Sequence, residues 1–420
     1  MKLKNARLLD PQRGIDGLGW VKIEQGLIQS FGFGHAPFDD GTDLQGWLLT
    51  PSFVDTHVHF RAPGGEHKET IQTGACTALR GGYSAVVTMA NTNPAIDNPD
   101  LVKWEIDQGK KAGIKLYPAA AVTVGLKGKV LTDFVALKAA GAQCLSDDGY
   151  PIVDEAIAKK AYEEAKRLGL RISIHPEDPD YGGDRSIHRG PLSEQFGLVG
   201  VHPEAENRHI RRDLALAEET GAGVMVQHVS TKAGCQAIRE AKSRGVDVCA
   251  EATPHHMTLT CEDVAGLGTS AKMSPPLRPE EDRQGVFEAF MDGTLDCLAT
   301  DHAPHSPEEK ALPLGQAPNG IIGLETAFSV VYALIKPFGD QGFYRLIDSL
   351  TYCPRRAMSL PEVGFFAGSP ADLTLLNLEE EWLCDVQSLG SKSRNCPWLG
   401  QKMQARVKAV IIDGEVAYRG

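Results

Sequence analysis

The sequence predicts an α/β protein, a parallel (β/α)8 TIM-type barrel with a small β-sandwich domain built from both chain ends. Three observations carry this reading. Eight apolar runs have strand length, amphipathic stretches lie between most of them, and metal-ligand residue types cluster where the runs stop. A doubly wound open sheet shares the alternation and is the alternative, since periodicity does not report closure.

The expected strands are Phe53–His59, Tyr83–Ala90, Ile114–Ala121, Gln143–Asp147, Arg171–His175, Gly223–Val229, Val246–Ala252 and Asp296–Asp301. Between them, stretches such as 154–169 and 231–245 are rich in Ala, Lys and Glu and end at a glycine suited to a helix C-cap. Residues 1–50 hold short β-like pieces with glycine turns, and 366–420 hold further β-like pieces and an Asp413-Gly414 hairpin signal. Neither end is long enough to fold well alone. They are expected to pair beside a barrel spanning 51–365.

The chain has 420 residues, 42% of them hydrophobic, enough for one large core and a smaller one. A net charge of -12 argues against nucleic-acid and anionic-membrane partners. The N-terminus shows no signal-peptide pattern, no apolar run reaches membrane-spanning length, and nine cysteines include no CxxC pair. A cytoplasmic protein with reduced thiols is expected.

Chemistry in such a barrel sits at the C-terminal strand ends, where the βα loops converge. Here the first run ends in His57 and His59, which share a face at i and i+2. The second reaches Asn91, the fourth Asp147 and Asp148, the fifth His175, the sixth His228, and the eighth Asp301, His302 and His305. Burying an imidazole or carboxylate costs several kcal/mol unless it is paired or metal-bound. Four imidazoles with one or two carboxylates exceed one tetrahedral zinc and fit two metals sharing a carboxylate and a hydroxide. Asp301 would ligate one metal and shuttle the proton.

Other candidates have blander readings. His302 is expected to face the helix layer, and His255 and His256 to be structural residues of a loop. His35, His67, His188, His202 and His209 are expected in loops or on the surface. Lys115 sits mid-strand, poorly placed for a carbamate bridge. Residues 305–320 lack helical periodicity and are expected to form a mobile loop that orders on binding.

The motifs "DTHVHFRAPGGEHKET", "MANTNPAIDNP", "LSDDGYP", "KMSPPLR", "ATDHAPH", "APNGIIGLETA" and "SKSRNCPW" resemble those of class I dihydroorotases of the amidohydrolase superfamily. The resemblance runs along nearly the whole chain. It implies a zinc-dependent barrel, with two zinc ions per subunit, that reversibly cyclises N-carbamoyl-L-aspartate to L-dihydroorotate in pyrimidine biosynthesis. It places one zinc on His57, His59 and Asp301 and the other on His175 and His228, with Asp148 bridging. Asp147, facing the other way, would be structural. The resemblance also implies that Arg61, Asn91 and His305 hold the substrate carboxylate, with His59 beside them, and that the backbone at Asn319 and Gly320 meets the ring. Ser274 and Asn319 depart from the family, which often has Asn and an aromatic residue there.

With the metals counted, the site would be locally positive, suiting a small anionic substrate. A homodimer is expected, and an aspartate carbamoyltransferase is a candidate partner. Rival readings are a hydantoinase or allantoinase, relatives that usually bridge their metals with a carbamylated lysine, and a non-catalytic homologue that supports a carbamoyltransferase.

Overall fold

The computed structural model describes all 420 residues. Five strands open the chain: β1 (Lys2–Asp10), β2 (Ile15–Glu24), β3 (Leu27–Phe33), β4 (Thr42–Asp43) and β5 (Leu48–Pro51). The next eight are β6 (Phe53–Val58), β7 (Tyr83–Thr88), β8 (Lys115–Ala120), β9 (Cys144–Leu145), β10 (Ile172–Ile174), β11 (Val224–Val226), β12 (Val248–Ala252) and β13 (Cys297–Leu298). Each lies inside an expected run, and they pair in sequence order as one parallel sheet. The sheet closes between β13 and β6 through a parallel bridge of Val58 with His302, where His59 N donates to His302 O at 2.9 Å. The architecture is therefore a barrel, and the open-sheet alternative is excluded.

Most strands are shorter than the apolar runs because the last residues of the run leave the ladder; β12 instead starts late and runs to its expected end at Ala252. His228 (φ 31°) and Asp301 (φ 47°) do so with left-handed backbone. Such conformations cost of order 1–3 kcal/mol for a non-glycine residue. Between strands, helices form as their capping chemistry dictates. Helix 155–168 starts at Asp154, whose carboxylate accepts from Ala156 N and Ile157 N, and stops at Gly169 in the left-handed region. Its buried face is Ala158, Ala161, Tyr162 and Ala165, at the spacing of one helical stripe. At the base of the barrel Phe53 is fully buried, stacks on Phe328 at 5.5 Å and meets Tyr83 edge-on. Truncating it to Ala would cost about 3–5 kcal/mol.

The two chain ends form one continuous eight-stranded sheet. After the barrel come β14 (Leu373–Leu383), β15 (Lys402–Ile412) and β16 (Glu415–Arg419), and the order is β16-β15-β14-β5-β1-β2-β3, with β4 beside β1. β5 joins the halves: it pairs with β1 in parallel and with β14 in antiparallel register, Leu49 opposite both Leu8 and Leu375. Leu8, Val21, Ile28, Leu49, Leu373 and Ile411 contribute to a core of its own, separate from the barrel core. No helix is long and apolar enough to cross a membrane.

Two expectations from sequence need correction. His209 is neither loop nor surface: it is buried on helix 204–220, 3.0 Å from Asp213. The helix turns its Nε2 inward, between Arg212 Nη2 (2.8 Å) and Asp213 Oδ2. Segment 305–320 contains a helical turn, Pro307–Lys310, which Ser306 caps through Glu309 N. Four residues are too few to show a helical period.

Candidate active site

β6 delivers His57 and His59 together to the C-terminal mouth of the barrel, and each turns a ring nitrogen to the axis. His57 Nδ1 donates to Glu251 Oε2 (3.2 Å), so Nε2 faces inward, 3.6 Å from both Asp148 Oδ1 and Asp301 Oδ1. His59 Nδ1 donates to Asn91 Oδ1 (2.9 Å), so Nε2 lies 3.1 Å from Asp301 Oδ1 and 3.5 Å from Asp148 Oδ2. His175 Nε2 donates to Glu177 Oε2 (3.1 Å), leaving Nδ1 2.9 Å from His228 Nε2 and 3.5 Å from Asp148 Oδ1. His228 Nε2 reaches Asp148 Oδ1 at 4.0 Å.

Asp148 is thus within 4.0 Å of all four imidazoles, whereas Asp301 reaches only the pair from β6. Two groups of ligand atoms converge closely enough to hold an ion: His57, His59 and Asp301, and His57, Asp148 and His228. His57 Nε2 and Asp148 Oδ1 are buried and find no hydrogen-bond partner in the protein. Buried polar atoms are rarely left so. Inward-facing lone pairs on imidazole and carboxylate are the donor set a divalent transition metal takes, so these residues fit metal ions.

The electrostatics agree. Burial opposes charge on His57, yet Asp301, Glu251 and Asp148 hold its pKa at about 10. At His175 the same opposition is overcome by Asp148 and Glu177, to about 9. Burial would raise Asp148, but the hydrogen bond from His175 and the charges of His57 and His59 hold it well below the usual carboxylate range. The surrounding carboxylates demand positive charge at the axis, which metal cations would supply. His228 is the exception: burial, then His175 and His57, push it far down, toward the neutral form a ligand needs.

Above the cluster lies a cavity of about 650 Å³, open to solvent, with Ala303 its one hydrophobic lining residue. His59, Arg61, Asn91, Asp148, His175, His228, Ser274, Asp301, Asn319 and Gly320 all line it. His57 lies fully buried beneath, and His305 behind. The strand does not extend to Arg61, whose φ is 60°; its Nε donates to Pro304 O (3.0 Å), and Nη2 lies 3.2 Å from His305 Nε2. His305 Nε2 donates to Asn319 O (2.8 Å). Asn91 Nδ2 donates to Asp148 Oδ2 (2.8 Å), tying the cavity lining to the histidine–carboxylate cluster. Gly320 (φ 142°) leaves no room for a side chain, since a Cβ would sit 2.6 Å from Ala303 O.

The remaining candidates fall outside the cavity. Asp147 faces away and accepts from Val122 N (2.8 Å) and Thr123 N (3.1 Å). His302 Nδ1 accepts from Gly323 N (3.3 Å), with Nε2 3.6 Å from Glu69. His255 and His256 are not in a loop as expected but buried on the short helix Pro254–Thr258, which Thr253 caps by accepting from His256 N. Lys115 is at the opposite end of its strand, bound to Asp372 (2.7 Å) and Asp413 (2.8 Å).

Sequence reasoning missed three contributors. Glu251 orients His57 and also accepts from Thr56 Oγ1 (2.6 Å) and His228 N (3.2 Å). A glutamate inside the apolar run "VCAEA" was a readable signal for it. Glu177 orients His175 and takes a hydrogen bond from Arg185 Nη2 (2.8 Å). Arg185 lines the cavity mouth, and nothing in its sequence context announced it.

Residues 46–234 match the family model described as dihydro-orotase-like. The chain is 41% identical to a dihydroorotase of Anaeromyxobacter sp. (strain K), covering 99% of this chain and 97% of that one. It is 40% identical to a dihydroorotase of Clostridioides difficile (strain 630), covering 99% of each. Its fold is similar to the L-hydantoinase (dihydropyrimidinase) from Arthrobacter aurescens, with a TM-score of 0.85 at 22% identity over 99% of this chain and 95% of that one. The dihydropyrimidinase from Brevibacillus agri NCHU1002 is similar too, with a TM-score of 0.84 at 20% identity over 100% and 95%. Identity of this extent over essentially the whole length, joined to the barrel and its histidine–carboxylate cluster, shows that the chain belongs to the dihydroorotase family.

Proposed function

We propose that this protein interconverts N-carbamoyl-L-aspartate and L-dihydroorotate, opening or closing a cyclic amide with water. The observation that carries the reading is the central carboxylate of Asp148, within 4.0 Å of four imidazoles at the ends of three strands. His57, His59 and Asp301 would hold one zinc ion and His175 and His228 a second, with Asp148 shared. Two such ions supply Lewis acidity, polarising the ring carbonyl and acidifying water at neutral pH.

Asp301 Oδ1, beside His59 Nε2 at 3.1 Å, is the proton acceptor from water and the donor to the leaving ring nitrogen. Arg61 binds the substrate carboxylate, with Asn91 and His305 fixing its direction; Arg61 Nη1 takes no partner within the protein. Losing the Arg61 guanidinium from that pair is expected to cost about 2–5 kcal/mol of substrate binding. No lysine lines the cavity, which favours Asp148 over a carbamylated lysine as the shared ligand. The test is turnover of dihydroorotate, hydantoin and allantoin by metal-analysed enzyme. Preference for dihydroorotate with about two zinc ions per chain supports the reading, and turnover of hydantoin alone overturns it.

A further inference from the structure

Two buried lysines lie behind the cavity wall, and neither is paired with a carboxylate. Lys272 Nζ donates to Leu314 O (2.5 Å) and Ala317 O (2.6 Å). Lys310 Nζ donates to Pro318 O (3.0 Å), Gly320 O (3.0 Å) and Lys272 O (3.3 Å). The Lys272 carbonyl in turn accepts from Gly320 N at 2.9 Å. Both side chains are under a tenth exposed. An ammonium taken from water is costly unless its three donors are used, and here every named acceptor on the segment after Lys310 belongs to 314–320.

We propose that Lys272 and Lys310 are positioning residues that hold the backbone of 314–320 as the fixed wall on which substrate sits. The inference rests on the reading that this cavity binds the amide ring. In a trans peptide the carbonyl and the following N–H point in opposite directions. Lys310, by taking the Pro318 carbonyl, turns the Asn319 N–H away from itself, and that N–H has no acceptor within the protein. The same peptide segment carries Asn319 O, which fixes His305 at 2.8 Å. Two ammonium groups thereby set one free donor and one fixed imidazole at the cavity. Burial depresses both lysines, Lys310 to about 7, as expected of cations with only neutral acceptors.

The test uses the full-length, zinc-loaded enzyme with Lys272→Met, Lys310→Met, the pair together, and Lys310→Arg, which keeps the charge but cannot place one point donor among three carbonyls. Each Met variant should raise KM for dihydroorotate about tenfold, leave kcat within about threefold and leave zinc content unchanged, because a ground-state wall is lost. Since both lysines hold one segment, the double variant should match the worse single variant. Subtilisin should cut within 311–317 in the Met variants and not in the native enzyme. Lys310→Arg, which retains the buried charge, should show the same KM-only change. Unchanged KM with a released segment, a segment as resistant as in the native enzyme, or effects that multiply in the double variant would each overturn the proposal. Absence of dihydroorotase activity in the native enzyme would instead sink the proposed function, while the proteolysis still judges the strap.

Discussion

The two ends of the barrel use the same kinds of residue to opposite purpose. At the base, charges are matched. Lys115 meets Asp372 and Asp413, Arg171 meets Asp247, and Asp296 meets Lys242 (2.6 Å) and Arg356 (3.1 Å). At the mouth, His57 Nε2 and Asp148 Oδ1 are left without partners, and His228, Asp301 and Arg61 are held in left-handed backbone. Satisfied groups stabilise; ligand-type atoms left unpartnered together around one point mark a candidate site. The lesson is that convergence matters, since a lone unpartnered atom such as Glu105 Oε2 does not mark one.

The strongest break of this contrast is Asp148→Ala. It should drop activity to background and reduce bound metal, while Tm changes by no more than a few degrees; atomic absorption and calorimetry check both. Glu251→Gln should come next. It keeps the ligands but loosens their orientation, costing about 10–100-fold in metal affinity or activity, read by competition with a chelator.

Lys115→Met should do the reverse of both. Leaving Asp372 buried and unpaired should cost about 3 kcal/mol of stability, measured by urea unfolding, with kcat and metal content unchanged. A loss of metal in that variant would revive the carbamylated-lysine bridge.

The smallest effect sharpens the contrast away from both ends. Glu105 is buried with one oxygen unpartnered, and burial raises its pKa to about 8. The folded state therefore keeps a proton that the unfolded chain releases near 4.5, so stability falls as pH rises between those values. Glu105→Gln should leave Tm unchanged near pH 4.5 and raise it by a few degrees at pH 8.

The legible features were those written as periodicity or as residue type at a run's end. All eight barrel strands came from such signals, as did the clustering of His57, His59, Asn91, Asp148, His175, His228 and Asp301 at the barrel mouth, because buried parallel strands must be apolar and a polar residue at the end of one stands out; Arg61, Ser274, Asn319 and Gly320 were legible only through the family resemblance. What stayed hidden depends on partners distant in sequence. Arg185 reaches Glu177 only because a loop folds back, and Lys272 and Lys310 resemble surface lysines until their carbonyls are seen. His209 follows the same rule: its burial rests on Nε2 meeting Arg212 and Asp213 through helical geometry that composition alone does not show.

The register of β5 has a consequence for how the chain is made. This strand leads straight into β6 and the paired histidines His57 and His59, yet one of its neighbours is β14, synthesised only after the entire barrel. On the ribosome the entry strand must wait with an open edge while every barrel strand emerges behind it. The finished protein is clasped by its own last segment, so a prematurely terminated chain exposes a hydrophobic strand edge beside His57 and His59 and presents a target for chaperones and proteases.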